Sequence, residues 1–331
     1  MNQDFFNIFG DYKEITLRYD VQHRAIWCYY NPTPRPCFTL SMLNEMRQLQ
    51  KNIIKYFKTR ETESQLPVRY LVIHSKVPGV YNLGGDLALF SKLIKERKRQ
   101  QLFDYAKLCI DLTYLNYVSL TLPLTTISLV EGLALGGGFE SALSSNILIA
   151  TENAEMGFPE IRFNLFPGMG AFSFLARICG ATTAEKMIVE GKIYNGRELY
   201  EMGIVNHLVD TDNSLDGVEK YIRQHQRSGN GRRAMQQVRQ SYHSIEYRDL
   251  LDVIEIWVDT ALRLKDKNLR LIDRMAKAQL VTMDRQKKGP LLRTKQDRRF
   301  AVGEVTFPLT DWSGETIRID RRKKADRRLF H

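Results

Sequence analysis

Residues 125–140 read Thr-Thr-Ile-Ser-Leu-Val-Glu-Gly-Leu-Ala-Leu-Gly-Gly-Gly-Phe-Glu. Thr125 to Val130 is a short, nearly continuous apolar run, the pattern of a strand covered on both faces. It runs out into glycine and ends at a carboxylate, Glu140. Two neighbouring segments repeat the design. Upstream, Val68 to His74 leads to Leu83-Gly84-Gly85-Asp86. Downstream, Asn146 to Ala150 leads to Met156-Gly157-Phe158-Pro159-Glu160. Glycine after a strand lets backbone approach a ligand closely. Two such loops can offer two amide N–H groups to one oxygen, which is an oxyanion hole. Neither glycine run fits a dinucleotide fingerprint or a phosphate loop. A glycine cluster beside a strand also serves simply as a packing device.

Glu140 and Glu160 each follow a stretch where an ionised carboxylate is costly to bury, with Phe139 beside one and Phe158-Pro159 beside the other. Desolvation there raises a carboxyl pKa toward neutrality and suits it to acid–base work. The competing reading makes both of them helix-start glutamates at the surface, favoured by the helix dipole.

Further outward, Ile15 to Tyr19 alternates as a half-buried strand does, and Ala25 to Tyr30 reads as its hairpin partner, closed by prolines at 32, 34 and 36. Leu40, Leu43, Met46, Leu49, Ile53 and Phe57 recur at helical spacing and predict a helix over Ser41 to Tyr56. A long helical stretch follows the loop Gly79 to Asp86 and extends to about Tyr117. Beyond Gly168 the pattern is helical, broken at Gly180, Gly191 and Gly203, and an amphipathic pair covers Leu250 to Leu280. Strands alternating with helices predict an α/β fold whose sheet is covered on its faces.

The chain has 331 residues, 43% hydrophobic and 26% charged, enough to bury roughly three quarters of its unfolded surface. No apolar run reaches the ~18 residues of a membrane span. The first residues, with Asp4, Asp11 and Glu14, do not read as a secretory signal. Cys28, Cys37, Cys109 and Cys179 lie far apart, as reduced cytosolic thiols do. The six histidines show no metal-ligand spacing. The expectation is a cytoplasmic protein with no metal and no cofactor. Of the net charge of +11, the stretch 285–331 holds 14 Lys and Arg against 6 Asp and Glu, and it repeats Asp-Arg-Arg at 297, 320 and 326. Such a basic tail is either a solvated segment or a docking surface for an acidic partner, protein or nucleic acid. It resembles no known nucleic-acid module. Phe307, Trp312 and Ile317 hint at local order.

These residues resemble the crotonase (enoyl-CoA hydratase/isomerase) superfamily. EGLALGGGFE, NILIATENAEMGFPEIRFNLFPGMG, GKIYNGRELYEMGIVNHLVD and the upstream YNLGGD carry the resemblance. It implies the crotonase fold, an α/β architecture of stacked ββα superhelical turns with C-terminal helices over the active site, assembled as trimers or dimers of trimers. The division expected is a catalytic core at 1–248, a helical region at 249–284 and the basic tail at 285–331. The resemblance also implies oxyanion amides at Gly85 and Gly137 and an acid–base pair at Glu140 and Glu160. Within the superfamily the chain is most similar to the diffusible signal factor synthases of bacterial quorum sensing. The features are both glutamates, FPEIRFNLFPGMGAFSFLAR after the second, and Trp257 in the C-terminal helices.

Two departures from ordinary hydratases agree with this. Pro167-Gly168-Met169-Gly170-Ala171-Phe172 is apolar where hydratases carry polar groups, and Asp86 is followed by Leu87 rather than lysine. The resemblance then implies dehydration of a 3-hydroxyacyl chain on acyl carrier protein to the cis-2-enoyl thioester, followed by hydrolysis to the free acid. Leu135, Met169 and Trp257 are the expected substrate-binding walls, although Trp257 also falls in a core row with Leu250, Ile254 and Ala261. The expected partners are the acidic carrier protein and a regulatory sensor or receptor protein. Two alternatives stay open: an ordinary enoyl-CoA hydratase or isomerase, and a non-catalytic, nucleic-acid-binding protein of the same fold. His74 and His207 read as packing or surface residues without a motif partner.

Overall fold

The structure, a computed structural model, describes residues 5, 7–58 and 68–287, together with two short strands at 309–310 and 316–317. The strands β1 (Ile15–Asp20), β2 (Ala25–Tyr30), β3 (Tyr70–Ser75) and β5 (Thr125–Val130) belong to one six-stranded sheet with β7 (Ile147–Thr151) and β10 (His207–Val209). Its order is β1-β2-β3-β5-β7-β10; β1 and β2 pair antiparallel and every later pair is parallel. Every residue of β3, β5 and β7 is buried, as expected of mostly apolar strands covered on both faces, whereas the edge strand β1 is mostly half-exposed.

The strands split their side chains between two cores by simple alternation. Cys28, Leu71, Ile73 and Val130 face the larger core, with the helices α1 (Leu40–Lys58) and α3 (Arg99–Tyr117). Trp27, Val72, Ile127 and Ile149 face the smaller one, where Val218 and Ile222 of α8 (Ser214–Arg227) cover them.

A second sheet was not apparent in the sequence. It consists of β4 (Val80–Asn82), β6 (Leu133–Leu135), β8 (Glu155–Gly157) and β9 (Ile193–Asn195), in that order, the first three parallel. Each strand has three residues, too few for a period to register. Its effect on the site is large. After β3, β5 and β7 the chain turns into β4, β6 and β8, and each short strand then leads to a loop and a helical segment. Three successive ββα turns therefore set the ends of β4, β6 and β8 side by side.

The long helix expected up to Tyr117 is two helices, α2 (Leu87–Lys95) and α3, broken where Arg97 takes a positive φ of 56°. The remaining helices are α4 (Gly137–Leu143), α5 (Ala171–Cys179), α6 (Ala181–Glu190), α7 (Gly196–Glu201), α9 (Gly229–Tyr242), α10 (Tyr247–Leu262) and α11 (Asp266–Lys287). Leu250, Ile254, Trp257 and Ala261 of α10 and Leu269, Ile272 and Ala276 of α11 are buried in the larger core. Residues to Lys287 form one compact unit and those from Lys288 another. Within the basic stretch, Leu309–Thr310 pairs antiparallel with Thr316–Ile317. The rest of the stretch beyond Lys287, with Phe307, Trp312 and the Asp-Arg-Arg repeats, lies outside the described residues. Among those described, no helix is long and apolar enough to cross a membrane.

Candidate active site

The loop after β4 is held from several sides. Gly84 donates its N–H to Asn82 Oδ1 at 2.7 Å, and its carbonyl accepts from Phe38 N at 2.8 Å. Asp86 then caps α2 through Leu89 N at 3.1 Å and pairs with Arg35 Nη2 at 2.6 Å. Tyr105 bridges the same loop, its hydroxyl donating to Phe38 O and accepting from Asp86 N. The loop after β6 lies directly against it. A Cβ added to Gly137 would sit 3.5 Å from Gly85 N, so the two expected oxyanion residues are spatial neighbours. Gly137 opens α4, where the first-turn amide has no carbonyl four residues back to receive it.

Both glutamates reach the same place. Glu140, in the first turn of α4, is 1% exposed, so the surface reading does not hold for it. Its Oε1 accepts from Met169 N at 2.6 Å and Ala171 N at 2.9 Å. Glu160 lies in a short 3₁₀ turn, Pro159–Phe163, opened by its proline. The residue as a whole is only half-buried, yet its Oε2 is enclosed and finds no hydrogen-bond partner. The Glu160 carboxyl lies against Gly136, so a Cβ added there would push the carboxyl out of its place. Phe139 and Phe158, preceding the two carboxylates, are both buried and stack with ring centroids 5.0 Å apart.

Burial raises both carboxyl pKa values, and the partners separate them. Desolvation lifts Glu140 to about 7, against the pull of the Ala171 and Met169 amides. Glu160 is lifted to about 8 by desolvation and then by the charge of Glu140, with only its own backbone N–H opposing. Both carboxyls therefore hold a proton more tightly than a solvated glutamate does. These groups are protonated in the fold at pH values where the unfolded chain has released the proton, near pH 4.5. Stability then falls as pH rises from there to about 8. We expect Glu160→Gln to raise the melting temperature relative to wild type by on the order of 3 °C more at pH 8 than at pH 4.5. Thermal melts across that range check this; a constant difference would contradict it.

A cavity of about 240 Å³ joins these groups. All seven residues singled out from the sequence line it: Gly85, Leu135, Gly137, Glu140, Glu160, Met169 and Trp257. Trp257 packs edge-on against Phe90 at 5.2 Å and over Gly168, so it is both a core residue and a wall. Among the described residues the cavity lining contains no Lys or Arg, and Glu140 and Glu160 are its only acidic groups. Tyr105, Phe90 and Gln279 also line the cavity and were not anticipated. Their signal in sequence is slight, since the contacts that matter span long separations. Gln279 alone leaves a trace, as a polar residue on the apolar row Ile272, Met275, Gln279.

His74 has a partner the sequence did not reveal. Its Nε2 lies 3.1 Å from Glu131 Oε2 and its Nδ1 3.1 Å from Leu129 O. Glu131 also accepts from Ser214 Oγ. This contact ties together the ends of β3 and β5, the strands that feed the two glycine loops. His207 packs against Tyr221, as expected of a packing residue.

Strands that turn in pairs into a second small sheet, with two glycine loops and two buried carboxyls at its edge, define a crotonase-type protein. Residues 35–266 match the enoyl-CoA hydratase/isomerase family, and the chain belongs to that family. It is 31% identical over 170 residues to human mitochondrial methylglutaconyl-CoA hydratase, covering 51% of this chain and 48% of that protein. It is 36% identical over 142 residues to mouse mitochondrial enoyl-CoA hydratase domain-containing protein 2, covering 43% and 46%. The chain spans about half the length of the curated relatives it matches. Among solved structures, an enoyl-CoA hydratase/isomerase from Xanthobacter autotrophicus Py2 superposes with a TM-score of 0.64 at 20% identity, over 85% of this chain and 100% of that one. Pseudomonas aeruginosa DspI superposes with a TM-score of 0.55 at 20% identity, over 81% and 97%. At such identities these structures share the fold alone.

Proposed function

We propose that this chain is a dehydratase and thioesterase of the diffusible signal factor synthase kind, acting on a 3-hydroxyacyl chain borne by acyl carrier protein. The observation that carries this reading is a pair of enclosed carboxyl groups in an otherwise apolar cavity, Glu140 held by two backbone amides and Glu160 Oε2 by none, next to two adjacent glycine loops. A thioester α-proton is weakly acidic, so its removal needs the enolate-like oxygen held by preorganised donors, here the amides of Gly85 and Gly137. Glu140, steadied as an anion by two amides, is the group set to accept a proton; Glu160 is set to give one. One proton leaves C2, one joins the departing 3-hydroxyl, and water is released with the cis-2-enoyl thioester. Water then adds to the thioester carbonyl in the same hole, and the carrier thiol leaves with a proton. Leu135, Met169 and Trp257 give the acyl chain apolar walls.

The basic stretch 285–331 suits an acidic carrier protein and an acidic regulatory sensor or receptor. Assembly as a trimer or dimer of trimers and a cytoplasmic setting belong to the same reading.

A second reading, an ordinary enoyl-CoA hydratase or isomerase, has one observation in its favour. A groove of about 480 Å³ between α2 and α11 is lined by Arg35, Lys92, Lys95 and Lys277, against Glu96 and Asp273. Arg35 is paired with Asp86 and Lys95 with Asp273, which leaves Lys92 and Lys277 as the cations best placed for the phosphates of a coenzyme, although no lysine directly follows Asp86. Mass spectrometry of the protein mixed with 3-hydroxydodecanoyl-acyl carrier protein separates the two. The expected product is free cis-2-dodecenoic acid; an enoyl thioester with no free acid would make this an ordinary hydratase.

A further inference from the structure

Among the described residues, Gln279 is the one polar side chain that α11 contributes to the cavity wall. It is 4% exposed. Its Nε2 donates to Leu83 O at 3.2 Å and to Gly85 O at 3.3 Å, the two carbonyls that bracket Gly84. Its Oε1 is buried and receives no hydrogen bond. A buried acceptor left unpaired is destabilising, and a ligand that donates to it recovers that loss on binding. The other uncharged hydrogen-bonding hydroxyl of the wall, on Tyr105, is already committed to Phe38 O and Asp86 N. Gln279 Oε1 is therefore an acceptor that awaits a donor.

The identity of that donor follows from the side of the cavity on which Gln279 sits. The 3-hydroxyl of a substrate must face Glu140 and Glu160, which stand on α4 and the 3₁₀ turn after β8. Gln279 instead grips the loop whose Gly85 amide faces the thioester oxygen. What leaves the thioester on that side is the sulfur-linked arm, and the first donor along a carrier arm is its amide N–H.

We propose that Gln279 reads this N–H and so selects thioesters carried on an amide-bearing arm, while its own NH₂ group holds the 83–85 loop in place. The inference rests on the thioester reading above. Its test compares two 3-hydroxydodecanoyl thioesters, one of N-acetylcysteamine and one of 2-acetoxyethanethiol, in which an ester oxygen replaces the N–H. Wild-type protein is expected to favour the amide about 10- to 100-fold in kcat/KM, because the ester places an oxygen against Oε1. Gln279→Met, similar in volume, is expected to bring that ratio within about threefold of unity. Gln279→Glu keeps an acceptor and loses the donor; it is expected to retain the preference while both substrates slow. A purely structural role would slow both substrates and leave the ratio unchanged. Equal use of both thioesters by wild type, or a preference that survives in the methionine variant, would overturn the proposal. Failure of wild type on 3-hydroxydodecanoyl-acyl carrier protein as well would sink the thioester reading and this inference with it; turnover of that substrate with neither small thioester accepted would overturn this inference alone.

Discussion

Replacing either Glu140 or Glu160 with glutamine is expected to lower turnover on the order of 10²- to 10⁴-fold, the usual cost of losing a positioned acid or base. The geometry makes the substitution clean at Glu140. A glutamine Oε1 can still accept from Met169 N and Ala171 N, so the loop stays folded while the proton acceptor is gone. At Glu160 the enclosed Oε2 has no partner to lose, and the neutral amide avoids burying charge. Single-turnover rates with melting curves alongside check both variants. Retention of more than about a tenth of the activity in both would remove the two carboxyls from the chemistry.

Gly84→Ala is expected to be nearly as damaging, for a different reason. The residue has φ of +84°, which costs an L side chain about 1–2 kcal/mol. Its new Cβ would lie 2.7 Å from Leu135 O and 2.9 Å from Gly137 N, both backbone atoms of the facing loop. Overpacking of this sort adds about 1–3 kcal/mol. The clash can be relieved only by moving the loops that hold Gly85 and Gly137 apart. Activity is therefore expected to fall about 100-fold or more, as when an oxyanion donor is lost. Gly203→Ala is the control, since φ there is +74° but nothing lies within 4 Å of the added carbon. It should share the strain and melt lower while keeping its rate. Equal rates in the two variants would mean that the contact between the loops does not set the geometry of the site.

Of the helices, α1 was legible because Leu43, Met46, Leu49 and Ile53 meet one core, and a row facing one core must recur every three to four residues. The strands β3, β5 and β7 were legible because burial on both faces makes their sequences mostly apolar or β-branched with no charged residue. The break at Arg97 was not, since a chain reversal by a single positive φ leaves the hydrophobic pattern nearly intact. The second sheet was invisible because three residues carry no period.

The sequence alone determined which groups are present: three strand-to-glycine segments, two carboxylates behind aromatic residues, and apolar Leu135, Met169 and Trp257. Those are local choices of residue type, and a linear chain records them directly. Only the tertiary structure decided how they combine. The parallel pairing of β4, β6 and β8 brings Gly85 beside Gly137 across some fifty residues. It also lets the Met169 and Ala171 amides reach Glu140 and leaves Glu160 without a comparable donor. The raised proton affinity of both glutamates arises there, because a pKa depends on burial and on neighbours distant in the chain, which no single stretch of sequence contains.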